Sequence, residues 1–189
     1  MEKPLPTLLN LDTKFGALEI TLDHEHAPKT AAHFQGLAER GVLQDAFFYR
    51  IVHADAESSV GGIDVVQGGV GWEKARESPT VAHESTALTG LTHCHGAVSL
   101  GRSQESDAGS EFFICIGDQS KLDARDDDKD SGFAVFAHVT RGMGVVETIY
   151  NLPADGDPPG GDERFRGQFL TEYVEIENIR VFQDVGDDA

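Results

Sequence analysis

Apolar and polar positions alternate with a period of two over residues 15–22, where Leu18, Ile20 and Leu22 share one face and Ala17, Glu19 and Thr21 the other. That pattern predicts a strand with one side in water. Pro28 then opens a segment with Ala31, Phe34, Leu37 and Ala38 at helical spacing, closed by Gly41, which predicts a helix. Residues 47–52, 63–67, 96–101, 109–117 and 133–139 are short apolar runs bounded by glycine or polar clusters and read as strands. Residues 142–152 place Met143, Val146 and Tyr150 on one stripe and predict a second helix. A last strand is expected over residues 173–182, with an apolar phase slip between Ile176 and Ile179 that predicts a bulge. Between these, residues 1–11 read as a loose lead-in, 70–95 as a long loop with fragments of strand, and 153–161 as an irregular turn. Many short strands, two helices and no alternating βαβ pattern argue for an antiparallel barrel or sandwich. One domain over residues 12–183 is expected, followed by a tail at 184–189.

Residues 109–117, Gly-Ser-Glu-Phe-Phe-Ile-Cys-Ile-Gly, carry the first chemical hint. Strand alternation sets Phe112, Ile114 and Ile116 on a plain core face, and Glu111, Phe113 and Cys115 on the other. A carboxylate beside a large ring suits the floor of a pocket. Val65 and Gln67 share a face in the same way. Arg50 is embedded in Phe-Phe-Tyr-Arg-Ile-Val, and a cation in such a setting is either a structural ion pair or a functional donor.

Composition narrows the partners. The net charge of −18 disfavours nucleic acid and anionic membrane surfaces, which need clustered Lys and Arg. No apolar run of about 18 residues occurs, and residues 1–10 lack a basic region followed by an apolar stretch. A soluble, cytoplasmic monomer is the expectation. Cys94 and Cys115 make no disulfide framework and are expected to be buried free thiols in a reducing compartment.

Five segments fall in a recognisable order: Phe48-Tyr49-Arg50-Ile51-Val52, Val66-Gln67-Gly68-Gly69, Gly96-Ala97-Val98-Ser99-Leu100, Gly109-Ser110-Glu111-Phe112-Phe113-Ile114 and Phe133-Ala134-Val135-Phe136. Together, over residues 14–183, they resemble the cyclophilin family of peptidyl-prolyl cis/trans isomerases. The resemblance implies a closed eight-stranded antiparallel β-barrel capped by two α-helices. It also implies rotation about X–Pro bonds of proline-containing peptides or unfolded segments, with no cofactor and no metal. Arg50, Gln67 and Phe113 would then be catalytic. Val65, Gly101, Arg102, Glu111, Leu122 and Phe133 would bind substrate. A non-catalytic proline-peptide binding module and a general holdase are the competing readings.

The chain departs from the family pattern at several positions. Glu111 stands where glutamine is usual, Gly101-Arg102 where asparagine is frequent, Lys121 where tryptophan is usual, Phe133 in place of histidine, and Asp64 in place of an aromatic. An insertion of about nine residues falls within 53–62. Because an ionised carboxylate only accepts hydrogen bonds, Glu111 is expected to pair with Arg50 or Arg102 and slow the reaction, so that Glu111→Gln would raise kcat/KM. His93-Cys94-His95 and His24-Glu25-His26 are each half of a zinc site at most. Asp126, Asp128 and Asp130 fail the calcium-loop pattern at Ser131 and Ala137. Ser99 and Ser110 show no sequence cue for a base and are not expected to be nucleophiles.

Overall fold

A computed structural model describes residues 5–55, 62–102 and 108–183. Its strands are β1 (Thr7–Thr13), β2 (Gly16–Leu22), β3 (Phe47–Val52), β4 (Val65–Gly69), β5 (Ala97–Leu100), β6 (Phe112–Cys115), β7 (Ala134–Arg141), β8 (Phe169–Glu175) and β9 (Asn178–Gln183). The helices are α1 (Pro28–Glu39), the single turns α2 (Trp72–Ala75) and α3 (Thr86–Thr89), and α4 (Met143–Tyr150). The strands form a 9-stranded antiparallel sheet in the order β8-β3-β4-β6-β5-β7-β2-β1-β9.

That order corrects the expected closed eight-stranded barrel. Among the described residues there are nine strands, and no ladder joins β8 to β9. Residues 176–177 alone connect these two ends of the order, so the edges are drawn together and the sheet curls into a half-barrel. The connecting amides bond elsewhere, Ile176 N to Ala46 O (2.9 Å) and Glu177 N to Asp12 O (2.8 Å). The phase slip between Ile176 and Ile179 is therefore a break between two strands on opposite edges, not a bulge in one. The stretch read as a loose lead-in also contributes a strand, since β1 begins at Thr7 and pairs with both β2 and β9. The long segment 70–95 holds two helical turns besides its one bridge, Val81 to Ala108.

The inner face of the sheet is filled by residues such as Leu9, Leu18, Ile20, Phe48, Ile51, Phe112 and Phe136. Each fully buried side chain of this size contributes about 1.5–3 kcal/mol. Helix α1 seals one side. Its Phe34 meets Phe112 edge-on at 5.3 Å and Phe136 at 4.9 Å. Ala27 cannot cap this helix, so buried Glu84 does so from the 70–95 segment. Glu84 accepts from Lys29 N (3.3 Å), Thr30 N (2.7 Å) and Thr30 Oγ1 (2.6 Å), which suits the positive end of the helix dipole. At the other end Gly41 takes φ +74°, and the bonds Gly41 N to Ala38 O and Val42 N to Leu37 O make a Schellman stop. Helix α4 buries Val146 and Ile149, while Tyr150 reaches out to Asp64.

Candidate active site

One extra residue in β3 creates the site. Phe48 pairs with Gly68 and Arg50 with Gln67, so Tyr49 is a bulge. The bulge lets Phe48 and Ile51, three positions apart, both enter the core. Val52 is turned to the outer face, where a second apolar cluster gathers Val65, Phe113, Cys115, Leu122 and Val135. The register then lines up Phe169 of β8, Arg50 of β3, Gln67 of β4, Phe113 of β6 and Ser99 of β5 in one row.

Arg50 is held by amides. Nη1 donates to Gln67 Oε1 (2.8 Å), while Nε and Nη2 donate to Gln168 Oε1 (2.9 and 2.5 Å). The ring of Phe165 lies 5.0 Å from its Cζ. These bonds use three of the five guanidinium N–H donors. Among the described residues no carboxylate pairs with Arg50. Burial pulls the guanidinium down from its ordinary value, with Tyr49 opposing, yet an arginine stays charged in such a setting.

Gln67 passes the network onward. Its Nε2 donates to Tyr49 Oη (2.8 Å), the Tyr49 hydroxyl donates to Glu111 Oε2, and Glu111 Oε1 accepts from Gly71 N (3.1 Å). Gly69 makes room, because a Cβ there would sit 2.3 Å from Glu111 Oε1. The direction of each bond follows from the acid. An ionised Glu111 only accepts, so Tyr49 donates to it and keeps its oxygen for the Gln67 amide, and the Gln67 carbonyl must face Arg50. Burial raises the Glu111 carboxyl above its usual range, and burial together with that carboxylate pushes the Tyr49 phenol well up. The ion pairs of Glu111 with Arg50 or Arg102 expected from the sequence are not formed. Arg102 instead donates to Gly132 O (3.0 Å) and Asp130 O (2.7 Å).

Beside Gln67 lies the outer apolar cluster. Phe113, Val65 and Leu122 belong to it, and the half-buried Phe133 stands at 90° to Phe113 with centroids 5.2 Å apart. Gly101 N donates to Glu111 O at 2.8 Å. Under Phe113 the His93 ring stacks at 5.9 Å, with Nδ1 2.6 Å from Asp123 Oδ1 and Nε2 3.0 Å from Ser99 Oγ. These three groups line up as a hydrolytic triad does. Neither His93 nor Ser99 has any exposed surface (0% each), so no carbonyl can reach them and the set serves as a polar support for Phe113. A separate cleft of about 1390 Å³ shares Ala97 and Val135 with the apolar cluster.

Comparison with known proteins decides the family. The family model for "cyclophilin type peptidyl-prolyl cis-trans isomerase/CLD" matches residues 8–180. The chain belongs to the cyclophilin family. This cyclophilin is 30% identical over 149 residues to a peptidyl-prolyl cis-trans isomerase of Acinetobacter baylyi, covering 78% of this chain and 73% of that one. It is 29% identical to peptidyl-prolyl cis-trans isomerase A of Dickeya dadantii, covering 79% and 74%. Two crystal structures of a cyclophilin type isomerase from Cryptosporidium parvum share the fold at 16% identity. One has a TM-score of 0.68 and covers 94% of this chain and 98% of that one. The other, determined in the presence of the dipeptide Ala-Pro, has a TM-score of 0.67 and covers 93% and 99%.

The structure of this cyclophilin brings Arg50, Gln67, Phe113, Val65, Leu122 and Phe133 together. Glu111 and Arg102 it turns aside. Asp64, at the aromatic's usual place, accepts from Tyr150 Oη (2.5 Å) and Ala54 N (2.7 Å). Lys121 donates to Gly62 O (3.3 Å). Part of the 53–62 insertion, residues 56–61, lies outside the described residues. Cys94 is exposed rather than buried, and Cys115 is buried. Among the described residues no group of three or more His, Cys, Asp or Glu side chains is placed to hold a metal. Sequence reasoning missed Tyr49, Phe165 and Gln168, and weighed His93 only as half of a zinc site. Of the three, only Tyr49, an aromatic next to the arginine, left a local signal.

Two stability predictions arise here. His93→Ala would leave Ser99 Oγ without its ring partner and Asp123 with only the backbone amide of residue 93 (3.1 Å), and is expected to cost about 1–3 kcal/mol, read as a Tm several degrees lower; an unshifted melt would contradict the support role. His33, His83, His93 and His138 are all held below their ordinary 6.5, chiefly by burial. The unfolded chain therefore takes up protons first as the pH falls, so these sites stabilise the fold above about pH 6.5 and progressively less below it. Glu111, raised by burial, acts in the opposite sense but is one group against four. Thermal melts should show a lower Tm at about pH 5 than at about pH 7.5, and a higher Tm in acid would refute this reading.

Proposed function

We propose that this cyclophilin-type isomerase rotates X–Pro bonds in flexible or unfolded protein segments at the row Phe113–Gln67–Arg50. The bond resists rotation by about 18–20 kcal/mol because amide resonance is lost on twisting. As it twists, the prolyl nitrogen becomes pyramidal and gains a lone pair. A guanidinium N–H aimed at that nitrogen stabilises the twisted state more than either planar one. An acceleration of about 10⁵ asks for roughly 7 kcal/mol of such selectivity. Arg50 supplies the donors, Gln67 and Gln168 hold it, and Phe113, Val65, Leu122 and Phe133 take the proline ring away from water.

The observation that carries this reading is the clamping of Arg50 by neutral carbonyls beside an apolar cluster, with two N–H donors not used by any described residue. An acid partner would have neutralised the charge the reaction needs. Gly101 and Arg102 flank the substrate path, and Glu111 acts through Tyr49 and Gln67. The net charge of −18 speaks against nucleic acid or an anionic membrane as partner. No described helix is long and apolar enough to cross a membrane, and a cytoplasmic monomer is the form in which we expect the protein to work. A protease-coupled assay on an Ala-Pro peptide tests the activity: acceleration is the expected result, and binding without acceleration would favour a mere proline-peptide module.

A further inference from the structure

The row of paired residues does not stop at Arg50. Beyond it comes Phe169, and over Phe169 stand two aromatic side chains from separate segments. Trp72, on α2, meets Phe169 at 5.3 Å and Phe165 at 5.2 Å, both edge-on. Phe165 comes from the turn Glu163–Phe165 in the long connection between α4 and β8, and also lies against Arg50. Both rings are half-buried, although the fully buried Phe169 beneath them shows that the core there is already closed. Large rings left part-exposed beside a reacting group are where a guest side chain would gain contact area.

Spacing agrees with a substrate reaching them. From Phe113 across Gln67 and Arg50 to Phe169 is three strand steps, about 14 Å at 4.7–4.9 Å each. That row is about four residues of extended peptide at about 3.3 Å each, and because the Phe165 ring lies 5.0 Å from Arg50 Cζ, a chain with its proline on Phe113 and its prolyl nitrogen near Arg50 brings a side chain one or two residues from the proline to the aromatic pair. Resting on the isomerase reading above, we propose that Phe165 and Trp72 form a subsite for an apolar or aromatic side chain flanking the proline, on the Arg50 side of the groove. Arg164, exposed and paired with Asp162, lies 5.7 Å from the Phe165 ring and is the side chain such a guest displaces.

The test is a peptide series in which each residue flanking the proline is in turn Phe, Leu, Gly or Asp, run on wild type, Phe165→Ala and Phe165→Leu. In wild type, kcat/KM at one flank should favour Phe and Leu. The ratio of the Phe-flanked to the Gly-flanked value should fall about three- to tenfold in Phe165→Ala, the size of one aromatic contact, and recover partly in Phe165→Leu. A loss equal for every peptide would mean that Phe165 only orients Arg50, and an unchanged ratio would mean that no guest touches it; either overturns the subsite. If wild type binds these peptides without isomerising them, the isomerase reading fails by itself. The subsite is then decided by the same ratio taken from Kd values, which must fall in Phe165→Ala for the proposal to stand.

Discussion

Arg50→Ala is expected to lower kcat/KM for an X–Pro peptide by about 10²–10³, the cost of removing a preorganised donor from a developing charge. The loss should fall on kcat, because the donor matters most once the bond is twisted. Peptide affinity should change little, since the ring site proposed at Phe113, Val65, Leu122 and Phe133 lies in an apolar cluster that does not include the arginine. The fold should survive as well. Arg50 faces outward and its partners Gln67 and Gln168 are neutral, so its removal leaves no buried charge unpaired. Arg50→Lys should rescue little, because an ammonium bonded to both glutamines keeps one N–H where the guanidinium keeps two, and it lacks the planar fork that fixes their direction. A variant that kept wild-type kcat would refute the role assigned to the guanidinium.

Glu111→Gln is expected to lower kcat/KM as well, by about 10- to 100-fold through misplacement of the arginine. This reverses what the sequence suggests when Glu111 is paired with Arg50. A glutamine at this position cannot satisfy both neighbours as the acid does. With its carbonyl toward Tyr49, its NH₂ meets the Gly71 N–H; with its carbonyl toward Gly71, its NH₂ donates to Tyr49 and turns the phenol proton toward Gln67. Gln67 would then flip and present its own NH₂ to Arg50. Tyr49→Phe should weaken catalysis in the same direction, and the double variant should be less impaired than the two losses combined, because all three groups act as one chain. Faster turnover in Glu111→Gln would restore the reading of this acid as a brake.

The contrast between those two residues shows what the sequence could carry. Strands such as Phe112–Cys115 and Val65–Gly69 were legible because period-two alternation is a local property. It put Phe113 on the face opposite the Phe112 and Ile114 core, and Val65 on one face with Gln67. The bulge at Tyr49 was not legible, since one extra residue among Phe, Tyr, Arg and Ile leaves the same composition and only shifts the phase. The partner of Glu111 could not be foreseen either. Tyr49 is 62 positions away, and which of several polar groups an acid meets is decided by the curl of the sheet. Gln168 and Phe165 lie in a connection without periodicity, so nothing marked them as neighbours of Arg50. The closed barrel failed for a similar reason: residues 173–182 look like one strand until tertiary pairing sends their two halves to opposite edges.

The most direct measurement is exchange spectroscopy on an Ala-Pro peptide with catalytic amounts of protein, wild type beside Arg50→Ala. The account predicts cis/trans exchange cross-peaks with wild type, and none above the uncatalysed rate with the variant although the peptide still binds. Equal acceleration by both proteins, or binding to wild type with no acceleration, would contradict it.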